Sequence, residues 1–175
     1  MTIEELLRDP QRRVHAAMPE SDALTEEDIL NEADLRDIRY ELNSSSLLLL
    51  LDLRVALQFR TPNVAVLAFR GVSNIELTGI DLPPWPWFTR FVLHSKPDIQ
   101  DKLFTFEIGC LGGLRLKTTA QSAEFFVGDI PNLPEAPPNF GDDEDSVIVA
   151  GMPHWSSDFV PQAATFIDRH PDLAT

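Results

Sequence analysis

Cysteine is almost missing from this chain: Cys110 stands alone. No intramolecular disulfide can form, so stability has to come from packing. Long apolar runs are missing too. The longest, Leu47 to Leu51, is far too short to span a bilayer. Met1 is followed by Thr2, Ile3, Glu4 and Glu5, without the basic and apolar regions of a secretory leader. These absences predict a soluble cytoplasmic protein. Positive charge is scarce, with 14 basic against 28 acidic residues. A surface of that sign repels nucleic acid, anionic lipid and phosphate-rich substrates. Recognised catalytic motifs are also lacking: no Walker loop, GxSxG or HExxH occurs, and Gly109, Gly112 and Gly113 do not lead into a helix pattern.

What is present is strand after strand. From Leu47 to Phe59 every odd position is apolar, while Asp52, Arg54, Gln58 and Arg60 take even ones. Period two predicts one long strand with a buried and a polar face. Leu35 to Leu42, Val64 to Arg70, Val72 to Thr78 and Trp87 to His94 read as further strands, with Lys96-Pro97-Asp98 as a turn. Lys102 to Cys110 alternates well, and Gly112-Gly113 is a hairpin signal into Leu114 to Thr119, followed by Ala123 to Val127. No gap admits repeated βαβ crossovers. The expected fold is mainly β (α+β): an antiparallel curved sheet or two-layer sandwich.

The flanks differ from this middle. Thr2 with Glu5 forms a capping-box pattern for a helix from Ile3 that Pro10 interrupts, with a second turn over 11–17. Thr25 with Asp28 marks another short helix through Leu30. Leu82-Pro83-Pro84-Trp85-Pro86 has polyproline character. Beyond Val127, Pro131, Pro134, Pro137 and Pro138 exclude a central strand, and Phe159 to Ile167 suggests a terminal helical turn. The chain therefore divides into a helical segment (1–33), an antiparallel β domain (34–128) and a proline-rich acidic tail packed on it (129–175). Charge follows the same division. Residues 1–45 carry −7, residues 46–128 carry +1 and residues 129–175 carry −8.

Chemistry-bearing residues are few. His15, His94, His154 and His170 show no zinc-type spacing, and His94 reads as a satisfied strand-end residue. Cys110 shares an alternation face with Phe104, Phe106 and Ile108 and reads as core. No metal or cofactor is expected. Asp142, Asp143, Glu144 and Asp145 are consecutive, unlike the alternating ligands of a calcium loop, and read as a solvated loop suited to a cationic partner. With Trp155 they are the expected contact residues. Met152 to Asp158 gathers His154, Trp155, two serines and Asp158, so a ligand or hydrolase pocket around His154 and Asp158 is the alternative. A homodimer formed through the edge of the 47–59 strand is the third reading.

Asp34-Leu35-Arg36-Asp37, Leu51-Asp52-Leu53-Arg54 and Val66 to Val72 resemble a group of small uncharacterised bacterial proteins, many of them actinobacterial. So do Ala123 to Pro131, Glu135-Ala136-Pro137-Pro138 and Ala150 to Trp155. That group is distantly similar to β-rich immunity proteins of bacterial polymorphic toxin systems, through Phe69-Arg70-Gly71-Val72 and the strand that follows. The resemblance implies a protein that binds and blocks a toxin, without catalytic residues.

Overall fold

A computed structural model describes residues 1–8, 17–79, 88–100 and 102–168. Its described elements are α1 (Ile3–Arg8), β1 (Asp34–Glu41), β2 (Ser46–Asp52), β3 (Val64–Arg70), β4 (Asn74–Thr78), β5 (Val92–Gln100), β6 (Leu103–Cys110), β7 (Arg115–Ala120), β8 (Ser122–Asp129), α2 (Asp145–Ala150) and β9 (Val160–Asp168). They form two antiparallel sheets, β1-β2-β3-β8-β9 and β4-β7-β6-β5. The mainly β fold, a two-layer sandwich, is what the alternating patterns predict. Among the described residues no helix is long and apolar enough to cross a membrane.

The two sheets are buried differently. The four-stranded sheet turns Phe104, Phe106, Ile108 and Cys110 of β6 inward, between less buried residues. Phe106 and Phe104 pack on Phe69 of the other sheet, with ring centroids 5.4 and 6.2 Å apart. The five-stranded sheet is covered on both faces. Leu47, Leu49 and Leu51 enter the core between the sheets. Leu48 and Leu50 enter a second core with Ile3, Leu6, Trp155 and Phe159. A strand covered on both sides favours a continuous apolar run over alternation, which explains the five leucines.

Several expectations are corrected here. The long strand ends at Asp52, because Leu53 to Asn63 turns back to pair β2 with β3. Its edge is not open for a dimer either, since β1 and β3 flank β2. Pro97 lies inside β5, opposite Phe106, rather than in a turn. β5 is an edge strand of its sheet, a position where a residue without an N–H is tolerated. Phe159 to Ile167 is not helical: β9 pairs with β8 along its length. Gly128 permits that pairing, because a Cβ there would lie 2.3 Å from the Val160 carbonyl oxygen. The expected helix after Thr25 is instead a run of turns. Asp22 anchors it, its carboxylate accepting from the Leu24 N–H at 2.9 Å.

The Thr2–Glu5 capping box forms in both directions, at 2.9 and 3.2 Å. Gly112 and Gly113 take left-handed φ values of 87° and 90° in the predicted hairpin. The turn predicted over 11–17 lies outside the described residues apart from Ala17, as does the stretch Leu82 to Pro86.

The acidic tail is built into the sandwich at two buried ion pairs. Asp34 and Asp52 face each other across β1 and β2, and each is paired with the arginine two residues on. Arg54 binds both Asp52 oxygens through Nε at 2.9 and 3.1 Å. Its other nitrogens donate to the carbonyls of Pro134, Ala136 and Gly151 at 2.9, 3.0 and 2.8 Å. Arg36 pairs with Asp34, donates to the Met152 sulfur at 2.9 Å and lies over the Phe140 ring. Burial pushes the Asp34 carboxyl above its ordinary range; Arg36 opposes that rise and Asp52 adds to it.

Replacing Arg54 by Met leaves the buried Asp52 carboxylate without its partner. The expected loss is about 3–5 kcal/mol, measured by urea unfolding, with Arg54→Lys intermediate because one ammonium cannot span the same acceptors.

Candidate functional site

The outer face of the tail is where the acidic residues gather. Arg54 and Arg36 fix its two arms, and between them the chain makes a tight turn at Asn139. The Asn139 N–H donates to Asp143 and its side-chain amide to Asp142, both at 2.7 Å. The Gly141 N–H returns to Asn139 Oδ1 at 3.0 Å. Asp142, Asp143, Glu144 and Asp145 are all exposed. Glu144 is the N-cap residue of α2 without a side-chain cap bond, and Asp145 opens the helix. Carboxylates at a helix start face the positive end of its dipole. Of α2 only Ile148 is buried, while Val147 and Val149 are exposed beside the acids. The result is a fixed, acidic, partly apolar surface.

Trp155 is not part of that surface. It is 5% exposed and packs in the outer core. Its indole N–H donates to Asp37 at 2.6 Å, and Arg39 lies 4.9 Å from its ring. Arg39 also bonds Glu4 at 2.7 Å, which holds that carboxyl below its ordinary range. Trp155 therefore ties α1, β1 and the tail together. Expecting it at the surface overlooked the second core that the five-stranded sheet requires on its outer face.

His154 and Asp158 are directed to different partners. The His154 ring donates from Nε2 to the Val149 carbonyl at 2.8 Å, closing the end of α2. Asp158 is 80% exposed and lies 3.8 Å from the N-terminal amine. Ser157 Oγ accepts from the His154 backbone N–H at 3.1 Å, so its contact with His154 is structural.

The four-stranded sheet presents a different surface. Cross-strand register aligns Glu76, Lys117, Glu107 and Lys96 in one row of alternating charge. The next row aligns Thr78, Arg115, Gly109 and His94, and over Gly109 lies a depression of about 420 Å³. Cys110 lines its edge but is itself buried. At a second position 66 residues apart in sequence, His94 Nδ1 meets Asp28 Oδ1 at 2.7 Å, with Glu27 beside them. No sequence spacing joins these three residues; the docking of the 22–32 turns on β5 does.

No family model matches the chain, and no curated protein matches it. Among solved structures, it is similar to an uncharacterized protein from Neisseria gonorrhoeae at 15% sequence identity and a TM-score of 0.42. The match covers 57% of this chain and 94% of the other.

Burial pushes the Cys110 thiol up to about 12. At pH 8 the thiolate is then roughly one part in ten thousand. Iodoacetamide is expected to label the native chain very slowly and the urea-unfolded chain readily, as read by mass spectrometry. Rapid native labelling at pH 8 would contradict a buried core thiol.

Proposed function

We propose that the chain is a non-enzymatic protein-binding module whose acidic turn engages a basic partner. The observation that supports this best is the turn at 139–145, where four carboxylates are exposed on a backbone held by the Asn139 hydrogen bonds. Its flanks at Pro134, Ala136 and Gly151 are bound by Arg54. A recognition loop that is already ordered loses less entropy on binding than a mobile one. Exposed Val147 and Val149 add apolar area next to the charge, the combination a stable interface uses at its centre and rim. Long-range attraction from the tail and the N-terminal segment steers a cationic surface toward the turn. The resemblance to immunity proteins makes a bacterial toxin the partner of choice, blocked by occupancy of its basic surface.

His154 and Asp158 turn to different partners, the Val149 carbonyl and the N-terminal amine, which gives the pocket reading no comparable support.

Affinity capture from bacterial lysate tests the proposal. The full chain is compared with a variant carrying Asp142→Asn, Asp143→Asn, Glu144→Gln and Asp145→Asn, and with Glu144→Gln and Asp145→Asn alone. The smaller variant leaves the Asn139 bonds intact. The native chain is expected to retain a basic protein that moderate salt releases, as screening dictates. Both variants should lose it, and the smaller variant should do so with a urea midpoint close to the native one. Equal retention by native and neutralised chains, or no partner at all, would refute the acidic turn as the binding surface.

A further inference from the structure

We infer that Glu27, Asp28 and His94 form a site for a divalent transition cation of the zinc type, distinct from the acidic turn. One ligand atom from each residue lies within 4.8 Å of the other two. One imidazole nitrogen and two carboxylates are a donor set suited to such an ion rather than to calcium. The 142–145 cluster supplies carboxylates alone.

The geometry needs little change. Bonds of about 2.1 Å place neighbouring ligand atoms roughly 3.0–3.4 Å apart and opposite ones no more than about 4.2 Å. Asp28 Oδ1 and His94 Nδ1, now 2.7 Å apart, open slightly to admit the ion. To ligate through Nδ1, the neutral imidazole must carry its proton on Nε2. Glu27 then closes by rotation of its exposed side chain. Its present contact, Lys96 Nζ at 3.8 Å, is a solvent-exposed pair that water screens.

Two features hold the other ligands in place. Asp28 has a left-handed φ of 60°. Its backbone N–H donates to the Ser95 carbonyl at 2.6 Å, and its carboxylate accepts from the Ser95 N–H at 3.0 Å. His94 follows an irregularity in the β5–β6 register between Val92 and His94, a device that re-aims side chains.

His94 also forms part of the wall of the depression of about 420 Å³ over Gly109, which neither Glu27 nor Asp28 lines. Arg115 and Glu107 also line it. An ion with three protein ligands keeps a coordination position for water or an incoming ligand.

Zinc titration of the tag-free full chain against a chromophoric chelator tests the assignment. One zinc ion should bind per chain. His94→Ala and Glu27→Gln should each weaken binding by roughly tenfold or more, the scale expected when a metal's protein shell is damaged. His154→Ala and the neutralised 142–145 variant should bind like the native chain. Both His94→Ala and Glu27→Gln alter exposed or half-exposed side chains, and circular dichroism checks that each remains folded. Absence of zinc binding at millimolar concentration, or native affinity in His94→Ala, would overturn the site. Loss of binding with neutralisation of 142–145 would likewise assign the ion to the acidic turn.

Discussion

Two buried aspartate–arginine pairs, set side by side at the end of β1 and β2, are the constraint on which the rest of the structure depends. Each comes from the same local word, Asp-Leu-Arg, at 34–36 and 52–54. A buried ion pair seldom stabilises a fold by attraction alone, because removing both charges from water costs about as much as the attraction returns. Here the arginines have a further task. The proline-rich segment has few regular backbone partners, and the carbonyls of Pro134, Ala136 and Gly151 need donors. The planar guanidinium of Arg54 supplies them while still holding Asp52. Arg36 does related work at Met152 and Phe140.

That attachment has consequences in both directions. Inward, it brings Trp155, Phe159 and Ile130 over the outer face of the five-stranded sheet, completing the second core with α1. Outward, it leaves the acidic turn and the start of α2 in solvent. Charge is thus sorted by the fold. The tail side is strongly acidic, whereas the far face of the four-stranded sheet carries a balanced row of Glu76, Lys117, Glu107 and Lys96. Proposed recognition of a basic protein and proposed metal binding therefore belong to different regions, with different electrostatic characters.

Much of the scaffold is legible in sequence because its signals are local. Thr2 and Glu5 declare the first helix, Gly112-Gly113 declares the hairpin, and the alternation of Phe104, Phe106, Ile108 and Cys110 declares an inward face. Misreadings arise where a distant element decides the outcome. Phe159 to Ile167 has apolar residues compatible with a helical turn, but the open side of β8 makes it a strand. Pro97 looks like a terminator until β5 is placed at a sheet edge. Trp155 lies beside polar residues in sequence, yet its partners Asp37 and Arg39 are more than a hundred residues away. The exposure of the acids at 142–145 is legible in sequence, although Asp145 opens α2 instead of lying in a loop, whereas Glu27, Asp28 and His94 meet only through tertiary docking.

Native-state hydrogen exchange, comparing the wild-type chain with the Arg54→Met variant, tests the central role of the clamp most directly. Releasing it should selectively deprotect the amides of α2 and the 139–152 region, while the paired amides of β3 and β8 retain substantially more protection. Unchanged protection at α2, or equal loss throughout the sandwich, would contradict a local clamp that fixes the acidic tail.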